Sequence, residues 1–429
     1  MTEAVTALAS HLFRREAGRM VSSLVRRLGV RHLALAEDAV QDALLRALEV
    51  WKFGRAPDHP AAWLMRAAWN RALDLLRRQD RAARLVPELT TSLASAGSEA
   101  VETARHAIED DELRMMFSCC DPALGRSAQV AVILKYLCGF SVQEIAQAFL
   151  AAEATVEKQL FRARRALCEQ GALFEVRDPS QVRERLPAVH NAIYLLFNEG
   201  YHGSHPQRAV REDLCFEAMR LGLLLSHLPP AAVPETQALL ALFCLLSARL
   251  AARMDDRGHL LLLAEQDRRR WDRELLEEGL RRLDLSAEGE ALTAWHLEAA
   301  IAARHALATS FAETDWTSIR QLYDLLLRLR PTPVVALNRA IAIGMAEGPE
   351  AGLTAIARIE DRARLESYPF LPAASAEFEL RDGRPRRAAE LLRAALRLTR
   401  NPAEEEVLRR KLALAERGAG GAANGALQG

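Results

Sequence analysis

SVQEIAQAFLAAEATVEKQLFRARRAL, residues 141–167, reads as two short helices joined by a tight turn. Ser141 followed three residues later by Glu144 has the form of a capping box, in which each side chain satisfies an orphaned backbone N–H at a helix start. A first helix is therefore expected from Val142. Ile145 and Phe149 recur at i and i+4 and should face a common core. Thr155 opens a second periodic run whose apolar stripe is Val156, Leu160 and Leu167. That helix can dock through one face and present Lys158, Arg162, Arg164 and Arg165 on another. Such a pair is the layout of a helix-turn-helix, whose second helix lies in the DNA major groove. It is equally the layout of an ordinary helical hairpin with a solvated basic face.

Working outward, the chain has 429 residues, which predicts two or three domains. Ala, Leu, Arg and Glu dominate, alternating strand-like runs are hard to find, and half the residues are hydrophobic, so an all-α fold is expected. Its 57 basic and 57 acidic residues cancel, so a nucleic-acid partner must be sought in local patches. The cysteines, Cys119, Cys120, Cys138, Cys168, Cys215 and Cys244, form no CxxC pair and read as buried reduced thiols. Met1 to Arg19 lacks a signal-peptide apolar core and no uninterrupted apolar run nears the roughly 18 residues of a membrane span, so a cytoplasmic location without a membrane partner is expected.

Residues 5–81 make a first helical unit. AEDAVQDALLRALEVW places Ala36, Val40, Ala43, Leu44, Ala47 and Leu48 on one stripe and Glu37, Asp38 and Asp42 elsewhere, an acidic face suited to a basic partner or simply solvated. The segment WKFGRAPDHP breaks that helix. The next, AAWLMRAAWNRALDLLRRQDR, carries Trp63 and Trp69 among Arg66, Arg71, Arg77, Arg78 and Arg81. Rings that stack bases and guanidinium groups that follow phosphates are what single-stranded nucleic acid needs, although Trp63, beside Ala61 and Leu64, fits core packing better. Residues 82–105 lose periodicity and gain Ser, Thr, Gly and Pro, the composition of a flexible linker. A second unit, 106–172, contains the opening stretch, with Gly139 as the C-cap of the helix before Ser141.

AEDAVQDALLRAL followed by PAAWLMRAAWNRALDLLRR, and then EIAQAFLAAEATVEKQLFRARRAL, together resemble the two-domain body of extracytoplasmic-function sigma factors, the promoter-recognition subunits of bacterial RNA polymerase. The ordered motifs span roughly 170 residues. The further 250 or so residues, with LLFNEGYHGSHPQR and PVVALNRAIAIGMAEGPEAGL, are similar to the subgroup with a helical, tetratricopeptide-like C-terminal extension. The resemblance implies a non-enzymatic factor without cofactor or metal, whose partners are core polymerase and promoter DNA. It implies core binding at Glu37, Asp38 and Asp42, and minus-10 contacts from Lys52, Arg55, Arg66, Trp69, Asn70, Arg71, Arg77 and Arg78. Minus-35 contacts fall to Thr155, Lys158, Gln159, Arg162, Arg164 and Arg165. The chain departs from the family at Leu150, where the turn often has Gly, and at Ala152, where a small polar residue is common. A helix-turn-helix regulator that never joins the polymerase is the competing reading, and it leaves the first unit unexplained.

The extension, 180–415, is expected to regulate activity or dock a protein partner. Asp315, Gly348 and Gly383 each open the second helix of a pair at spacings of 33 and 35, close to the roughly 34-residue tetratricopeptide period. Three such units stacked side by side bury a continuous core and leave a concave face. Glu199, His202 and His205 near Asp213 have a metal-ligand flavour, but the spacing matches no trusted motif and a polar turn is favoured. The run Asp267–Arg273 suits either a partner surface or an internal ion-pair network, and the latter is preferred. A disordered tail is expected over 418–429.

Overall fold

Prolines mark many of the helix starts in this chain. Pro60, Pro179, Pro234, Pro333, Pro349, Pro385 and Pro402 each begin a helix, where the missing N–H is one the helix would not have used and φ is already helical. The computed structural model describes residues 3–53, 57–82, 111–149, 151–170, 179–202, 210–399 and 401–425. Among them the fold is all-α, and the one β feature is an isolated bridge between Met254 and Leu260.

The chain divides into two compact units, one of residues 1–196 with 227–231 and one of residues 197–226 with 232–429. In the first, α1 (Glu3–Leu28), α2 (Leu33–Phe53) and α3 (Pro60–Ala82) pack on one another. The stripe foreseen on α2 is its core face, with Ala36, Val40, Ala43 and Ala47 buried. A helix at residues 111–119 (α4), α5 (Arg126–Tyr136), α6 (Val142–Ala148) and α7 (Glu153–Gln170) follow. Val130 to Leu134 on α5 is buried without interruption. Gly139, at φ +67°, ends that helical stretch in the left-handed conformation glycine tolerates. The N-terminal part of α8 (Pro179–Tyr201) also belongs here, and Arg185 donates to the Phe117 carbonyl at 3.1 Å. The expected linker falls outside the described residues apart from Ala82, where α3 ends.

The second unit runs through α9 (Glu212–His227), α10 (Pro234–Ser247), α11 (Arg273–Ser286), α12 (Ala294–Leu307), α13 (Trp316–Leu329), α14 (Pro333–Glu347), α15 (Pro349–Ala357), α16 (Phe370–Arg381), α17 (Pro385–Leu398) and α18 (Pro402–Gly425). Pro234–Ala252 is long and apolar enough to cross a membrane, but 72% of it is buried inside the protein, as befits a core helix. From α12 onward each helix packs on the next. Three successive apolar clusters carry the stack, centred on Ile301, Ile319 and Leu326, then Leu337, Ile356 and Phe378, then Ala388, Leu392 and Leu408. The turns foreseen at Asp315, Gly348 and Gly383 precede α13, α15 and α17. Asp315 caps α13 by accepting from the Ser318 N–H at 2.9 Å, while the two glycines take φ of +109° and +71°.

One expectation is corrected. The segment Gly418–Gly425, read as disordered, continues α18 as helix. A helix already nucleated at Pro402 extends one residue at a time without a new nucleation cost, so weak formers such as Gly can be carried along with Ala419, Ala422 and Ala423. The thiols follow the composition. Cys119, Cys120, Cys138, Cys215 and Cys244 are buried and Cys168 half-buried, and burial pushes Cys119 and Cys215 up to about 12.

Candidate nucleic-acid interface

The helix pair α6–α7 is built as its sequence dictates. Ser141 Oγ accepts from the Glu144 N–H at 3.1 Å and the Glu144 carboxylate accepts from the Ser141 N–H at 2.7 Å, completing the box. Val156, Leu160, Ala163 and Leu167 are buried, which fixes the rotation of α7. α7 begins at Glu153, so Thr155 lies in its first turn despite Ala152 at the junction. Thr155, Lys158, Arg162 and Arg165 are exposed along the outer face. Arg165 is engaged with Glu169 at 2.7 Å. Arg164 turns inward, hydrogen-bonding the Tyr136 hydroxyl and lying 6.0 Å from the Phe161 ring centre. Gln159 is half-buried. Of the six residues expected to meet duplex DNA, Thr155, Lys158 and Arg162 thus present their side chains outward without an ion pair among the described residues.

On α3 the polar face is likewise exposed at Arg66, Asn70, Arg77 and Arg78. Arg77 is 3.8 Å from Asp74. Trp63 packs against Trp51 with ring centres 5.6 Å apart, the core role favoured for it. Trp69 is half-buried under the Arg27 guanidinium, 5.4 Å from its ring centre. Arg55 and the side chain of Lys52 fall outside the described residues.

The acidic face of α2 is occupied by the chain itself. Asp42 binds Arg71 at 2.5 Å, which ties a residue expected at core polymerase to one expected at DNA. Glu37 binds Lys135 of α5 at 2.8 Å, with both side chains largely buried. Asp38 is exposed. Around that pair, Arg26 meets Asp111 at 2.6 Å, Arg19 approaches Glu112 at 3.8 Å, and the Cys168 thiol contacts the Val30 carbonyl at 3.6 Å. The helices α1–α2 and α4–α7 are therefore packed together. Sequence reasoning missed Lys135 and Arg27 as partners of site residues, because pairs 98 and 42 positions apart by numbering leave no periodic trace. The one available signal was chemical: a lysine interrupting the apolar run of α5.

Among the described residues, no group of His, Cys, Asp and Glu is gathered that could hold a metal ion. Glu199 is buried against Arg211 at 3.2 Å, and His202 meets the Tyr201 ring edge-on. His205 lies outside the described residues. Around Trp271, Asp267 and Asp272 cap a 3-10 turn and α11, and Asp267 pairs with the exposed Arg269 at 2.8 Å.

Comparison with known families assigns the parts. Residues 13–82 match sigma-70 region 2, covering α1–α3, and residues 123–167 match sigma-70 region 4, covering α5–α7. The chain carries sigma-70 regions 2 and 4, in that order. Sigma-70 regions 2 and 4 bring core RNA polymerase and promoter DNA as partners. In this sigma factor a third match, to a family of unknown function (DUF6596), covers residues 185–287, from α8 to the end of α11. The chain is also 40% identical over 384 residues to an uncharacterized protein of Rhizobium meliloti (strain 1021), covering 89% of this chain and 90% of that one. The similarity therefore takes in region 4 and reaches well into the helical stack.

Proposed function

We propose that the chain is an extracytoplasmic-function sigma factor acting in the cytoplasm, in which α2 binds core polymerase, α3 with the loop before it holds the opened minus-10 strand, and α7 reads the minus-35 duplex. The observation that carries this reading is the division of labour on one body. A capped helix pair exposes Thr155, Lys158 and Arg162, and a separate helix exposes Arg66, Asn70, Arg77 and Arg78. Guanidinium and ammonium groups supply phosphate anchoring on both, while base-edge contacts from α7 supply sequence preference.

The ion pairs that occupy α2 give this reading a mechanical step. Glu37 is held by Lys135 and Asp42 by Arg71, and Trp69 lies under Arg27. Engagement of core and promoter exchanges these internal partners for external ones, with regions 2 and 4 separating as Glu37 leaves Lys135. The helical stack, with its near-tetratricopeptide period, acts as the regulatory or docking module for a protein partner. The test is copurification of the full chain with its own core polymerase. Stoichiometric binding is expected. A chain that bound DNA sequence-specifically yet failed to bind core would instead be a helix-turn-helix regulator.

A further inference from the structure

In the second unit three arginines converge on two aromatic rings, and no carboxylate hydrogen-bonds to any of them among the described residues. The Arg253 guanidinium lies 3.9 Å from the centre of the Tyr201 ring and donates to the Tyr201 carbonyl. Arg249 bridges the two rings, 5.7 Å from Tyr201 and 5.8 Å from Trp271, and donates to the Tyr201 hydroxyl at 2.6 Å. Arg268 lies 4.5 Å from the Trp271 ring centre and donates to the His305 and Ala308 carbonyls at the end of α12, at 2.7 and 2.6 Å. Arg253 and Trp271 are buried, only 7% and 4% exposed. Arg253, the buried one of the three, feels the acidic Glu404, whose pKa burial raises and Arg253 draws back down.

Cation–ring and carbonyl contacts orient Arg249 and Arg268, both half-buried, but do not neutralise them. The same cluster holds buried nitrogens without a hydrogen-bond partner: Trp271 Nε1, Arg268 Nη2 and His305 Nδ1. Buried polar atoms are almost always paired, so nitrogens that find no partner within the protein are open to one from outside it. Burial pushes His305 down to about 4, so at neutral pH its imidazole is uncharged and one tautomer presents N–H at Nδ1. Guanidinium, indole and this imidazole tautomer are all donors. A donor-only, cationic set selects a ligand that only accepts and carries more than one negative charge.

We propose that the second unit holds a receptor site for a phosphoryl group, contributed by inorganic phosphate or by a phosphate monoester. A tetrahedral oxyanion offers acceptors in several directions and a double charge, which suits donors carried by three different residues beside two guanidinium groups. The site is read by binding to the full chain alone, so its outcome is independent of whether the chain joins polymerase.

Calorimetric titration in phosphate-free buffer at constant ionic strength, with inorganic phosphate and glycerol 3-phosphate as probes and succinate as the carboxylate control, tests it. Saturable binding of at least one phosphate probe, tighter than that of succinate, is expected, and which probe binds tighter identifies the source. Trp271→Phe keeps the ring beneath Arg249 and Arg268 but removes the indole N–H, and should weaken binding about tenfold, as loss of a hydrogen bond to a charged group does. Arg249→Gln should weaken it at least as much, and if that variant fails to fold, Trp271→Phe carries the test. No saturable binding, succinate binding as tightly as the phosphates, or an unchanged affinity in Trp271→Phe would overturn the proposal.

Discussion

Lys135 and Glu37 meet at 2.8 Å with side chains 24% and 17% exposed, so their attraction is only partly screened and each holds the other away from outside partners. With α2 as the proposed core-binding helix, polymerase must compete with Lys135 for Glu37. Lys135→Ala should therefore bind core about two- to fivefold more tightly, matching the upper range of a partly exposed pair. Anisotropy titration of labelled chain against core would measure it, and unchanged or weaker affinity would contradict the competition. On α7 the exposed cations differ in what already neutralises them. Lys158→Ala and Arg162→Ala should each lower promoter affinity at all sequences and reduce the slope of log affinity against log salt by about 1. Arg165→Ala should do less, because Glu169 already offsets that charge. Equal slopes for all three variants would show that the Arg165–Glu169 pair opens on DNA.

Among elements, local chemistry was the most legible. The Ser141 box, the α2 stripe and the turns at Asp315, Gly348 and Gly383 are set by residues within a few positions of one another, and each appears where its spacing places it. Ser141→Ala removes one half of the box and should cost about 1 kcal/mol, read as faster amide exchange in α6. Exchange unchanged from wild type would mean that packing of Ile145 alone holds the helix. What spacing does not show is close approach between distant segments. Gly352 faces Phe378 so tightly that an added Cβ would lie 2.6 Å from the ring. Gly352→Ala should overpack the joint between α15 and α16 by about 1–3 kcal/mol and lower the melting temperature by several degrees. An unchanged melting temperature would mean that the ring moves aside freely. The Arg249, Arg253 and Arg268 cluster was hidden for the same reason: Tyr201 lies on α8, far in sequence from the turns that carry the arginines.

For the whole molecule, the family resemblance supplied what composition withheld. A net charge of zero says nothing of DNA, because the cations of α3 and α7 are balanced by acids placed elsewhere. The all-α class and the ordered helical stack followed from helix-forming composition and the repeating turns, whereas the packing of regions 2 and 4 depends on contacts such as Glu37–Lys135 across 98 positions. That packing holds the two sigma-70 regions together through the chain's own ion pairs, Glu37–Lys135 among them. The decisive measurement is reconstituted transcription, with core polymerase, the full chain and a genomic promoter library, mapped by transcript 5′ ends. A sigma factor of this build should give defined start sites that appear only when the chain is added and that weaken with Lys158→Ala and Arg162→Ala; start sites identical with and without the chain would contradict it.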